Sequence, residues 1–233
     1  MQPTRLYNIL LYLIIPLMVI TLYLVFIWSP IEKTMGIVQK IFYFHVSSAW
    51  TGLLAFFIVF LYSIAYLVKR NRRYDLIAGV SAEIGIVFTT IVLVTGPIWG
   101  RSAWNTWWSW EPRLTTTLIL WFVYVAYLLI RRMDGPYEKK ARLAAVFGII
   151  AFVDVPIVYM SIRWWNSKLH PVVFGEGANQ SGGGIEPSML LTLIFSVATL
   201  TVLYFLFLQK GVYIEQAKIA VQQMKEQLQE KMM

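Results

Sequence analysis

Six stretches of this chain are each long enough and apolar enough to cross a lipid bilayer, and that constrains its fold more than any single residue does. A spanning helix needs about 20 mostly apolar residues. Leu6–Trp28, Ile41–Val68, Leu76–Trp99, Leu114–Ile130, Ala141–Tyr159 and Met189–Gln209 all qualify. Composition agrees: 58% of the residues are hydrophobic and only 14% are charged, whereas a soluble surface needs roughly a quarter charged residues. The expectation is an all-α integral membrane protein of six transmembrane helices, one domain over residues 1–233, solvated by membrane lipid. No signal-peptide cleavage pattern follows the first apolar stretch, so it reads as a retained helix.

Orientation follows from the basic residues. Lys69, Arg70, Arg72 and Arg73 fill the second connection, and Arg131, Arg132, Lys139, Lys140 and Arg142 the fourth. Arg5 and Lys210, Lys218, Lys225 and Lys231 belong to the two ends of the chain. These fourteen are set against six on the opposite side: Lys33, Lys40, Arg101, Arg113, Arg163 and Lys168. Such an excess marks the cytoplasmic face. N- and C-termini are therefore expected to be cytoplasmic, with connections one, three and five outside. The net charge of +8 is spread between apolar runs rather than gathered in a patch, which argues against nucleic-acid binding.

That orientation places every unusual residue on the outer side. His45 opens the second span within Tyr43-Phe-His-Val-Ser-Ser-Ala-Trp50, and His170 follows Trp164-Trp165 in the long outer loop 161–188. Trp99, Trp104, Trp107, Trp108 and Trp110 lie in or beside a second outer loop, 100–113, and make up half of the chain's ten tryptophans. Interfacial anchoring accounts for one or two such rings; five in twelve residues exceed a belt. Were residues 104–111 helical, Trp104, Trp107 and Trp108 would share a face and offer a flat surface to a large planar ligand.

A histidine near a helix end is usually a hydrogen-bonded structural residue. Two of them, outer and aromatic-flanked, suit the axial positions of a haem iron. The absence of cysteine excludes disulfides, thiolate metal sites and thioether attachment, so such a haem would be non-covalent. A zinc site completed by Glu111, Glu176 or Glu186 is the competing metal chemistry. Arg101, Arg113 and Arg163 could receive propionates through their planar forks, or touch lipid phosphate as interfacial arginines. Both readings of the arginines stand.

The run Trp99-Gly100, then Trp104-Asn-Thr-Trp107-Trp108-Ser-Trp110-Glu111-Pro-Arg113-Leu-Thr115, resembles the tryptophan-rich signature of haem-handling membrane proteins. Its Arg-Leu-Thr ending resembles the CcmC-type branch of cytochrome c maturation, and the two histidine regions are similar to that family's as well. The resemblance covers essentially the whole chain. It implies haem b held at the outer face of the plasma (inner) membrane by His45 and His170, with Trp99, Trp104, Trp107, Trp108 and Trp110 as its platform. Arg101, Arg113, Arg163 and Glu111 would make propionate or polar contacts. It also implies handover to a CcmE-type haem chaperone, beside CcmA- and CcmB-type ABC transporter subunits and a CcmD-type single-span subunit. Glu111 stands where the family usually has aspartate, and the spacing after Gly100 is longer than in the compact signature.

Haem presentation needs no turnover, and neither a nucleophile with its base nor a phosphate-binding glycine loop is present in the sequence, so no enzyme is expected. Two other classes compete. A b-type electron-transfer cytochrome usually needs two haems and about four histidines, and the chain has two, with Met35, Met160 and Met189 scattered. A small-solute transporter would show internal repeats, though Glu83 and Asp154 are intramembrane acids of the kind such proteins use. Asp154-Val-Pro156 predicts a kink. The tail 210–233, with Ala217, Val221, Met224 and Leu228 at near-heptad spacing, predicts a cytoplasmic helical extension. Gly182, Gly183 and Gly184 suggest either a lid in the long outer loop or a plain connection.

Overall fold

A computed structural model of the chain describes residues 5–33, 35–165, 170 and 185–232. It is a helical bundle. α1 covers Arg5–Tyr23 and continues as a wider turn over Leu24–Trp28. A single tight turn, Ile37–Lys40, leads into α2, Ile41–Lys69. α3 spans Arg72–Trp104, α4 Pro112–Arg132, α5 Tyr137–Ala151, α6 Asp154–Trp164 and α7 Pro187–Met232. With α5 and α6 counted as one interrupted segment, six helical segments among the described residues are long and apolar enough to cross a membrane.

Local chemistry sets the boundaries. α2 stops where Arg70 turns left-handed (φ 52°), and Asn71 then caps α3 by accepting a hydrogen bond from the Arg73 amide at 2.9 Å. Asn105 ends α3 in the same left-handed conformation, φ 58°. Pro112 starts α4 at its first turn, where a missing N–H costs nothing. Pro156 interrupts the fifth segment: its ring would collide with the carbonyl four residues earlier, and the helix breaks at Phe152 and Val153. The kink predicted around Asp154 is present.

α2 and α3 form the central antiparallel pair. They approach closely because Gly85 has no side chain: a Cβ there would lie 2.5 Å from the Phe56 ring. Phe56 in turn stacks on Tyr124 of α4 at 3.6 Å, within a core that includes Val59, Ala82, Leu120 and Val158. A second cluster of Val25, Phe42, Tyr43, Trp99, Met189 and Leu193 closes the tryptophan-bearing end.

Hydrogen bonds between spans tie on the outer helices, as expected where lipid offers no hydrophobic drive. Thr21 bonds Thr199 at 2.8 Å, joining α1 to α7, and Ser81 bonds Tyr204 at 2.7 Å, joining α3 to α7. At the opposite, basic end, Arg131 grips both carboxylate oxygens of Asp75 (2.5 and 2.9 Å), and Tyr137 donates to the same carboxylate at 2.9 Å. This knot binds α3, α4 and the start of α5.

α7 carries on as one helix to Met232, so the tail is helical as predicted; Val221, Met224 and Leu228 remain exposed on it. Lys210 lies 5.7 Å from the Tyr7 ring, which places the start of α1 at the same end of the bundle as the inner part of α7. Glu83 faces outward from α3. Asp154 is half-buried, with Oδ2 enclosed and unpaired among the described residues.

Candidate functional site

The tryptophan-bearing end of the bundle contains a cavity between α2, α3, α4 and α6, holding about 860 Å³ of space including its open mouth. His45 and His170 both line it. The floor is apolar, made by Leu53, Val92, Leu93, Leu120 and Val158, while tryptophan, histidine and arginine gather toward the mouth.

His45 sits one turn into α2, with 9% of its surface exposed. Its Nδ1 lies 2.9 Å from Thr95 Oγ1 on α3. The Thr95 hydroxyl already donates to the Ile91 carbonyl at 2.7 Å. It is therefore the acceptor toward His45, Nδ1 carries the proton, and Nε2 keeps its lone pair. Gly96 leaves room beside this ring: a Cβ there would come within 3.4 Å of His45 Cε1.

His170 reaches the cavity from the connection between α6 and α7, and its Nδ1–H donates to Glu111 Oε1. Both histidines thus engage Nδ1 with a neighbouring side chain, which orients each ring. Between them runs an aromatic file. Trp99 packs edge-on to His45 at 5.8 Å, Trp104 lies 5.5 Å from Trp99, and His170 lies 5.8 Å from Trp104. His170 and Arg113 are both near enough to act electrostatically on His45.

The tryptophan segment differs from the expected surface helix. α3 absorbs Trp104 and ends at Asn105, so the connection is only 105–111 and runs without helix. Asn105 turns left-handed and the Thr106 side chain bonds the Trp108 carbonyl at 3.1 Å, which commits the backbone to a turn. Trp104, Trp107 and Trp108 still converge on the cavity, from different backbone directions. Trp107 is 61% exposed and stands at the mouth. Trp110 is 74% exposed, lies outside the lining and meets only the edge of Trp108 among the described ring contacts, at 5.6 Å. Trp164 and Trp165 pack edge-on to each other and are exposed.

The arginines separate as well. Arg113 lines the cavity, with no hydrogen bond or ion pair to its guanidinium among the described residues. Arg101 donates to the Asn105 carbonyl at 3.1 Å and to its side-chain oxygen, closing the end of α3 outside the cavity. Arg163 rests on the Tyr159 ring at 5.1 Å, close enough to act on Arg113.

Three buried polar atoms on the lining residues have no hydrogen-bond partner among the described residues: Nε1 of Trp99, Nε1 of Trp108 and Oγ of Ser109. Buried donors are rarely left unsatisfied without a ligand or water to receive them. Together with Arg113, they suit a ligand that is planar, mostly apolar and edged with carboxylates. No group of three His, Asp or Glu side chains able to hold a bare metal ion forms among the described residues, and Glu176 lies outside them. Lys168, Pro171 and Gly182 to Gly184 are outside them too.

Sequence reasoning missed Thr95, Gly96, Thr117 and the apolar floor. One signal was available for Thr95: it precedes Trp99 by four residues on a helix, which puts both on one face.

The family model for Heme exporter protein C, CcmC, matches residues 2–229. The chain is 32% identical over 177 residues to Heme exporter protein C of Bradyrhizobium diazoefficiens, a stretch covering 76% of this chain and 66% of that protein, just under two thirds. It is 33% identical over 184 residues to a ccmC-like mitochondrial cytochrome c biosynthesis protein of Marchantia polymorpha, covering 77% of this chain and 76% of that one. Against Heme exporter protein C of Escherichia coli K12 the identity is 32% over 170 residues, covering 73% and 67%. With a match over nearly its entire length, and the motif tryptophans Trp99, Trp104, Trp107 and Trp108 gathered around one cavity, the chain belongs to the CcmC family.

Proposed function

We propose that this protein binds haem non-covalently at the tryptophan-bearing end and presents it for cytochrome c maturation. His45 and His170 supply the two axial nitrogens. The observation that carries this reading is their placement: the chain's only two histidines line one cavity, each with its Nδ1 hydrogen-bonded to a side chain that orients the ring. Trp99, Trp104, Trp107 and Trp108 wall the macrocycle. Arg113, the Trp108 N–H and the Ser109 hydroxyl receive its carboxylates, and the apolar floor takes the opposite edge.

Imidazoles on two separate elements, one within a helix and one from a connection, suit a cargo site that must also release. The basic-residue asymmetry supports cytoplasmic termini and a haem site on the outer, periplasmic face of the inner membrane. Receipt by a CcmE-type chaperone, and cooperation with CcmA- and CcmB-type transporter subunits and a CcmD-type single-span subunit, complete the proposal. The chain itself acts without catalytic turnover.

The test is an absorption spectrum of the purified protein in detergent, alone and as His45→Ala and His170→Ala. A Soret band in the wild type that is lost or weakened at least several-fold in each variant supports the assignment. Unchanged haem content in both variants refutes it.

A further inference from the structure

Resting on the haem reading above, we infer that Glu111 is a positioning residue that makes His170 the stronger of two unequal axial donors and biases the site toward ferric iron. The two histidines have different hydrogen-bond partners. His45 gives its Nδ1 proton to a neutral hydroxyl, Thr95, whereas His170 gives its own to a carboxylate, Glu111. A carboxylate acceptor draws the Nδ1 proton away and raises the electron density at Nε2, which favours the more highly charged iron; a hydroxyl does so far less.

The structure commits Glu111 to this contact. It occupies the N-cap position of α4, yet its side chain caps no amide of that helix. Its backbone is extended, φ −71° and ψ 156°, the conformation a following proline favours, and Pro112 opens α4 immediately after it. A carboxylate fixed to the rigid start of a helix thus holds an imidazole that arrives from a connection 59 positions away. The carboxylate is nearly enclosed, at 12% exposure, which limits competition from water.

Two measurements test this. First, with only two histidines in the chain, 15N-histidine NMR of the haem-free protein resolves them. Glu111→Gln should move the ring nitrogens of one histidine and leave those of the other, and Thr95→Val should do the converse. Second, redox titration of the haem-loaded protein should show that Glu111→Gln loses about tenfold of its preference for ferric over ferrous haem. That is a rise of about 59 mV in midpoint potential for one electron. Glu111→Asp, which keeps the charge on a shorter arm, should fall between, and Thr95→Val should shift the potential less than Glu111→Gln. A Glu111→Gln variant with unchanged potential and unchanged histidine resonances overturns the inference. If Glu111→Gln cannot be purified, the same two readouts on Glu111→Asp decide it. Absence of haem from the wild-type protein would instead overturn the proposed function, and leaves the NMR result to judge the Glu111–His170 contact by itself.

Discussion

His45 and Thr95 face each other across the α2–α3 interface with 2.9 Å between Nδ1 and Oγ1, and the hydroxyl's own proton is already given to the Ile91 carbonyl. One tautomer of His45 follows from that arrangement. It also sets what should happen when the acceptor is removed. In Thr95→Val the shape is kept while a mostly buried N–H loses its partner, a cost of roughly 1–3 kcal/mol. The variant should unfold at lower temperature in detergent and bind haem more weakly, and Thr95→Ser should recover most of both. Equal stability and affinity in the valine and wild-type proteins would show that the hydroxyl does not fix the ring.

Gly96 supplies a second, graded test at the same ring. A Cβ at this position would stand 3.4 Å from His45 Cε1, an ordinary contact, so Gly96→Ala should fold and retain haem. Gly96→Val adds two methyl groups next to the imidazole and should displace it. The expected outcome is a folded protein by circular dichroism whose Soret absorbance is reduced at least several-fold. Full haem content in the valine variant would mean that His45 has room to move that the cavity does not show.

These residues also indicate where sequence was informative and where it was silent. The six spans were legible because bilayer thickness demands a run of apolar residues that few other structures need. The kink at Asp154 was legible because proline acts locally. His45 and His170 stood out by rarity, and both reach the cavity. Thr95 and Gly96 did not, since a threonine and a glycine in an apolar span look like any others until the facing helix is known. The tryptophan segment misled for a related reason. Helical spacing of Trp104, Trp107 and Trp108 suggested a surface helix, but Asn105 adopts a left-handed turn and the three rings converge by tertiary packing. Arg101 and Arg113 are indistinguishable by type; only the fold shows one closing a helix end and the other lining the cavity.

The knot at the far end of the bundle should govern stability rather than haem binding. Asp75 is 3% exposed and Arg131 19%, and the pair is bidentate. Removing one partner strands a buried charge, which costs about 3–5 kcal/mol. Asp75→Ala should therefore lower the unfolding temperature in detergent markedly and increase proteolysis near the α4–α5 connection. Tyr137→Phe removes one hydrogen bond to the same carboxylate and should cost about 1 kcal/mol. Haem affinity of the folded fraction should be unchanged in both, because none of the three residues lines the cavity. A selective loss of haem with normal stability would contradict this division.

The two arginines that flank the tryptophan motif should behave differently toward the carboxylates of the ligand. Arg113 lines the cavity, so Arg113→Gln should weaken haem binding by about tenfold, the value of roughly 1.4 kcal/mol for one charge-assisted contact. Arg101 is engaged with Asn105, so Arg101→Gln should change affinity by less than about twofold while loosening the end of α3. Haem dimethyl ester separates a direct charge contact from a general disturbance of the site, since it keeps the macrocycle and iron but carries no carboxylate. If Arg113 acts on the propionates, wild type and Arg113→Gln should bind the ester with similar affinity, measured by titration of the Soret band. An unchanged tenfold difference with the ester would mean that Arg113 supports the cavity wall, not the ligand's acidic edge.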